Sequence, residues 1–414
     1  METQSLPKRQ LLSPLRHRDF RLFWTGLLLS GIGSQFTQVA MAWQIYELTN
    51  SPLQLGLIGL ARAVPQMFIL LFGGLLADAM NRRKLMMITQ GSLFFVSGSL
   101  ALLTLAGHVT PLKLYAVTVF LALFSSLEVP SRQSIVTNLV PAEDLSRALA
   151  IFSTQRQIAT IGGPSVAGVV LAIAGPTACY TVDAISWLIM FGSLALIRTR
   201  LPQRGGWRTV TFESLRMGLR FVWGHAVIFP FLMMDFGANI FGTVRSLFPI
   251  YARDILAVGP QGLGLLYAAS AVGALLGALG LSLWGPVRHA GRWILVGVTI
   301  YGLCLLLFAT SHFLWLSVLL LVGSGIGDTI SAILRATINQ LSTPDELRGR
   351  MASINSIFTN SGPQLGQFQL GALAAVVGAE FAVTAGGLII LLIVMVLMVG
   401  FPHVRKYRIS QSGS

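Results

Sequence analysis

Arg132 to Leu145 reads RQSIVTNLVPAEDL, and Arg335 to Leu347 reads RATINQLSTPDEL. In each stretch an arginine stands nine residues before a proline, Pro141 or Pro344. An acidic pair and a leucine follow, Glu143-Asp144-Leu145 in one copy and Asp345-Glu346-Leu347 in the other, offset by one residue. Ala150 then matches Ala352, and Gly163-Pro164 matches Gly362-Pro363. The two copies lie about 200 residues apart, so the chain carries a parallel internal repeat. In an apolar chain this is the pattern of a transporter with a site between two pseudo-symmetric halves.

The composition around the repeat is that of a membrane protein. Of 414 residues 54% are hydrophobic and 11% charged, and the mean hydropathy is +0.73. A soluble protein carries about 25% charged residues, and disorder requires low hydrophobicity. Cys179 and Cys304 sit in apolar stretches and exclude a disulfide scaffold. A membrane helix needs about 20 mainly apolar residues. Twelve such runs occur: 21–47, 54–77, 84–106, 112–138, 146–173, 176–198, 227–251, 261–284, 292–310, 313–340, 349–376 and 380–401. Gln35 and Gln38 interrupt the first, and Gln155, Arg156 and Gln157 the fifth. Such residues mark the side of a span that faces the protein interior. Ala40-Met41-Ala42 resembles a signal-cleavage site. The apolar run before it exceeds the about 7–15 residues of a signal peptide, so integral insertion is expected.

The formal charge of +14 would suggest nucleic acid in a soluble protein. Its placement says otherwise. Lys113 and Arg253 fall in outer loops, and Arg62, Arg132, Arg156, Arg245 and Arg335 within spans; the remaining 22 of the 29 basic residues fall on the side of the termini. This bias puts both termini in the cytoplasm of a multi-pass inner-membrane protein. Its basic faces then meet anionic lipid headgroups, and no nucleic acid is needed as a partner. The expected organisation is an all-α membrane protein of twelve transmembrane helices. A cytoplasmic segment (1–20) leads into a six-helix bundle (21–198). A cytoplasmic linker (199–226) follows, with an interfacial helix over Thr211 to Gly224, then a second six-helix bundle (227–401) and a tail (402–414).

An ionised group at mid-bilayer costs at least about 2.5–3.5 kcal/mol, so each one is a functional candidate. The acids are Glu128, Asp183, Asp235 and Asp328. Glu128 and Arg132 are spaced to face each other as a structural or gating pair. Asp328 and Arg335, seven apart, share a face of span ten. Arg62 and Arg156 keep their protons, so each calls for an acid or an anionic substrate. Asp235 and Asn239 share a face of span seven, with Arg245 further out. Gln35, Gln38, Asn360 and Gln364 supply amides for a polar ligand or for helix–helix bonding. With Trp43 and Phe241 these groups suggest a central cavity for a small amphipathic, anionic molecule. Asp235 is the leading candidate for proton coupling, ahead of Asp183 and Asp328, because burial lets a carboxylate exchange a proton in the working range. The six histidines show no metal-like spacing, and no phosphate-binding Gly-x4-Gly-Lys-Ser/Thr occurs. Neither an enzyme nor a cofactor is expected.

The loop after span two, Gly74-Leu75-Leu76-Ala77-Asp78-Ala79-Met80-Asn81-Arg82-Arg83, resembles the Gly-x-x-x-Asp-Arg-x-Gly-Arg-Arg/Lys loop of the major facilitator superfamily. Ala79 replaces an arginine and Asn81 a glycine, an asparagine still tolerating a left-handed backbone. The counterpart from Gly285 to Arg292 has no acid at all. Ala150, Ala159, Gly163, Pro164, Ala167 and Gly168 resemble the small-residue motif of that superfamily's exporters. Phe20 to Trp24, Pro130 to Gln133, Leu347 to Met351, Arg245 and Pro249 look like its siderophore-exporter and macrolide-efflux branch. The resemblance implies the two-bundle fold and alternating access. It also implies a cytoplasmic gate of Gly74, Asp78, Arg82, Arg83, Glu128, Arg132 and Arg335, and export. The expected reading is a monomeric, proton-coupled exporter of a siderophore-like or drug-like molecule. Uptake of a metabolite and a non-transporting receptor or scaffold are the alternatives.

Overall fold

The structure is a computed structural model that describes residues 13–79, 81–199, 228–285, 287–343, 348–401 and 405; at 70–79, 130, 133, 228 and 348–360 it describes the backbone alone. The expected interfacial helix at 211–224, most of the tail and the first twelve residues lie outside the described residues.

Every long element among the described residues is an α-helix. In chain order they are α1 (Arg18–Thr49), α2 (Pro52–Ala79), α3 (Arg82–Leu105), α4 (Pro111–Val136), α5 (Leu145–Leu196) and α6 (Ile228–Phe241). There follow α7 (Gly259–Trp284), α8 (Ala290–Ala309), α9 (Leu314–Ser342), α10 (Arg348–Val377) and α11 (Ala379–Gly400). Helical structure occupies each of the twelve expected runs, with ends shifted by a few residues.

Two runs depart from a simple span. The fifth and sixth join in α5, whose 52 residues would reach about 78 Å at 1.5 Å per residue, far beyond one bilayer. Gly175 breaks it at φ 72°, and Pro176 brings no N–H to continue the ladder. The seventh run stops being α-helical at Phe241. It continues as a 3₁₀ turn (Val244–Leu247), one short helical turn (Phe248–Ile250) and a π turn (Tyr251–Ile255).

Helix starts follow local chemistry. Thr110 accepts from the Lys113 N–H at 3.4 Å, and Pro111 occupies the first turn of α4, where a missing N–H is harmless. Asn81 caps α3 by accepting from the Arg83 N–H at 3.0 Å. Its φ of −61° corrects the expected left-handed backbone: the asparagine serves as a cap, which an extended residue provides.

The chain forms two compact units. One holds the described residues of Met1–Gln44 and Val64–Thr209, the other those of Ile45–Ala63 and Val210–Ser414. Within the first, Phe20, Phe23 and Leu27 of α1 pack with Met86 of α3, Val136 of α4 and Met190 and Leu194 of α5. Large apolar side chains also face outward; Ile173 is 79% exposed and Leu283 88%. On a soluble protein such surfaces would drive association; here they suit lipid tails. By length and hydropathy alone, seven described helices can cross a membrane.

The turn Ser13–Arg16 docks on the start of α5. Asp144 accepts from the Ser13 hydroxyl at 2.6 Å and from Arg147 at 3.1 Å, with the His17 ring at 3.2 Å. These bonds, Ser13's foremost, hold the Asp144 carboxyl below its ordinary range. A depressed folded value stabilises the docked turn above the unfolded value, about 3.9, and the effect is lost as pH falls through the folded one. Docking should therefore persist at neutral pH and fail only in strong acid. Asp144→Asn should release residues 13–17 at pH 7, raising their amide hydrogen exchange several-fold. Unchanged exchange would show that the carboxylate does not hold the turn.

Candidate functional site

In the second unit the charged residues cluster where α6 breaks. The Gly242 N–H still bonds the Ala238 carbonyl at 2.9 Å, but the next residue, Thr243, leaves helical geometry. Glycine is needed at 242 because a Cβ would lie 2.1 Å from the Tyr301 hydroxyl. That hydroxyl donates to the Gly242 carbonyl at 2.6 Å, replacing a lost ladder bond. The break presents Arg245 to a cavity of about 250 Å³ lined also by Asn239, Tyr301, Ser324 and Asp328.

An ion pair stands one helical turn from the cavity-lining Asn239 and two from Asp328. Arg335 of α9 approaches Asp235 of α6 at 3.0 Å and donates to Ser331 at 2.7 Å. Arg335 is 4% exposed and Asp235 22%. Asp328, which shares a face of α9 with Arg335, is not its ion-pair partner among the described residues. Asp328 instead opens onto the cavity, where it feels the charges of Arg335, Asp235 and Arg245. The internal repeat explains the difference. Arg132 finds Glu128 four residues before it, whereas Arg335 finds Ser331 there and takes its acid from another helix. Two carboxylates thus share one permanently charged guanidinium.

Asn239 bonds the Asp235 carbonyl at 2.8 Å. Arg62 and Arg245 both act electrostatically on Tyr267, whose ring meets Phe248 edge-on at 5.1 Å. Among the described residues no carboxylate comes within ion-pair distance of Arg245 or Arg156. Gln364 is half-buried, and its backbone carbonyl would lie 2.4 Å from a Cβ on Gly59. The side chain of Asn360 lies outside the described residues.

In the first unit Asp183 is 1% exposed. Thr37 and Ser97, from α1 and α3, each donate to its Oδ2 at 2.7 Å, while Oδ1 has no hydrogen-bond partner among the described residues. Glu128 is fully buried, accepting from Gln90 at 2.7 Å and from Arg132. Arg83 donates to the Ala195 carbonyl at 2.8 Å, a cation on the last turn of α5. Arg82 is half-buried; Gly74 and Asp78 are helical in α2, with side chains outside the described residues. The small-residue face of α5 receives α1. A Cβ on Gly163 would lie 2.7 Å from the Gln35 side chain, and Gln155 donates to the Leu27 carbonyl at 2.7 Å. Pro164 and Gly168 are buried on that helix, Gln38 is half-buried on α1, and Arg156 is exposed.

Gln90, Thr37, Ser97 and Tyr301 were not singled out by sequence. Neither was a cluster in the second unit where Tyr46 bonds Asp254 and Arg253 lies 5.6 Å above the Tyr46 ring.

Comparison with known proteins resolves what kind of machine carries these groups. The family model of the transmembrane secretion effectors, within the major facilitator superfamily, matches residues 10–411. The chain belongs to that family. It is similar to the enterobactin exporter EntS of Salmonella typhi, 28% identical over 395 residues, covering 95% of this chain and 94% of that one. The EntS of Shigella dysenteriae serotype 1 is 27% identical over 396 residues with the same coverage. Among solved structures, a bacterial homologue of the human lysosomal transporter Spinster, inward-facing and unoccupied, superposes with a TM-score of 0.74 at 14% identity, covering 98% of this chain and all of the other. A bacterial homologue of the iron transporter ferroportin gives 0.71 at 15% identity, covering 94% and 99%. At such identities these likenesses carry the fold alone, and the fold is the major facilitator fold. As a member of this family the chain is a multi-pass membrane transporter and not an enzyme.

Proposed function

We propose that this transporter exports a small, amphipathic, siderophore-like molecule across the bacterial inner membrane by proton-coupled alternating access, as a monomer with both termini in the cytoplasm. Its similarity to enterobactin exporters along 95% of its length supports the direction and the substrate class. The observation that carries the coupling is the Asp235–Arg335–Asp328 arrangement beside an open cavity. Proton binding at Asp235 frees Arg335 and redistributes charge toward Asp328. Arg245, with Tyr267 and Tyr301 nearby, offers a cation and aromatic surface to an anionic group of the substrate. The gate is assigned to Gly74, Asp78, Arg82, Arg83, Glu128 and Arg132. Arg335 leaves that set for the coupling cluster.

Deletion of the protein under iron limitation should raise the exported compound inside cells and deplete it from the medium, as read by comparative metabolite profiling. Cells starved of a compound that accumulates outside would overturn export in favour of uptake.

A further inference from the structure

Gly285 to Arg292 repeats in sequence the position of the Asp78 loop without its acid, and Val287, Arg288 and His289 stand at one end of a groove on the second unit. The groove encloses about 320 Å³. Leu276, Gly280 and Leu281 of α7 form one wall, and Ile326 and Ile330 of α9 the other. Gly277 lets the helices meet there, since a Cβ on it would lie 2.9 Å from the Ile326 carbonyl. Three residues on the helices part, and a Cβ on Gly280 would touch none of the described residues within 4 Å.

The end of the groove is chemically different. Trp284, 72% exposed, and Trp293 meet at 5.1 Å. α7 ends at Gly285, at φ 75°, and Arg288 and His289 line the same opening. Arg292 is exposed just beyond. No acid occurs between Trp284 and Trp293 in the sequence, and among the described residues no carboxylate pairs with Arg288, His289 or Arg292. Tryptophans mark the depth of the membrane–water interface, and basic pockets between helices at that depth attract anionic headgroups.

We propose that this groove is a binding site for one anionic phospholipid, with its phosphate on Arg288 and His289 and an acyl chain lying between α7 and α9. The stretch from Leu276 to Trp284 offers the chain about 12 Å of apolar wall, at 1.5 Å per residue. The charge complementarity selects an anionic over a zwitterionic lipid. That the lipid comes from the cytoplasmic leaflet rests on the topology proposed above; the binding itself does not.

The test is native mass spectrometry of the purified full chain titrated with phosphatidylglycerol or phosphatidylcholine. The wild type should retain phosphatidylglycerol preferentially, and excess glycerol 3-phosphate should not displace it. Arg288→Ala should reduce the preference about fivefold, the equivalent of about 1 kcal/mol for one basic residue at a membrane surface; Arg288→Lys should keep most of it. Gly280→Phe fills the groove and should lower retention of the lipid whatever its headgroup. Equal retention of both lipids by the wild type, an unchanged preference in Arg288→Ala, or displacement by glycerol 3-phosphate would each overturn the site. Should Gly280→Phe fail to fold, the two Arg288 variants decide alone. None of these readings involves transport, so failure here and failure of the export reading are separable.

Discussion

Asp235→Asn is expected to reduce proton-driven export in proteoliposomes to the level of protein-free vesicles while substrate still binds. It should also lower stability, because Arg335 is 4% exposed and has no other acid in ion-pair contact among the described residues. Removing one partner of a buried pair costs about 3–5 kcal/mol, mostly by stranding the remaining charge. Loss of activity in that variant alone would therefore not separate coupling from folding. The double variant Asp235→Asn/Arg335→Gln removes the stranded charge and should recover the folded yield without recovering proton-driven export. Asp328→Asn is the complement. Asp328 opens onto the cavity and forms no ion pair among the described residues, so its loss should leave yield near wild type. Wild-type export by Asp235→Asn under a proton gradient would remove Asp235 from the coupling step. Full export by the double variant would reduce the pair to a strut.

The parts of this site legible in the sequence are those that depend on one helix at a time. Glu128 and Arg132 are four apart, and the geometry of a single α-helix brings them together. The partner of Arg335 is on another helix, and spacing within span ten says only that Asp328 shares its face. The usable signal was Ser331, which stands where the repeat places Glu128 and leaves Arg335 without an acid at hand. Asp183 was visible as a charge, but Thr37 and Ser97 come from two other helices and read as ordinary span residues. Arg83 was indistinguishable from its basic neighbours because its acceptor, the Ala195 carbonyl, lies 112 residues away. The break in span seven was hidden because hydropathy continues through Phe248, Pro249 and Ile250. Side chains on other helices, the Tyr301 hydroxyl at the Gly242 carbonyl and the Tyr267 hydroxyl at the Arg245 carbonyl, satisfy backbone groups that the interruption frees.

Leucine at Gly325 is expected to be more damaging than most single substitutions in the chain. A Cβ at 325 would lie 2.3 Å from the Ser270 carbonyl, and one on Gly273 would lie 2.1 Å from the Val322 carbonyl. These neighbours are helix backbones, so no rotamer change relieves the clash; α7 and α9 must separate. On the other side of α9, a Cβ on Gly327 would lie 2.4 Å from the Gly297 carbonyl of α8. Helix α9 is thus held on both sides by close backbone approach, the small-residue packing that replaces hydrophobic drive within lipid. Overpacking costs about 1–3 kcal/mol where side chains can yield, and more where backbones must. Gly325→Leu and Gly327→Leu should each abolish a monodisperse peak in detergent size-exclusion chromatography or lower the melting temperature sharply. Gly98→Ala, whose Cβ meets nothing within 4 Å, should do neither. Because α9 also carries Asp328 and Arg335, any surviving Gly325→Leu protein should lose export out of proportion to its loss of stability. A displacement of one or two ångströms is enough to part Arg335 from Asp235, now 3.0 Å away. Wild-type melting and export by Gly325→Leu would mean that α7 and α9 do not approach as closely as their glycines allow.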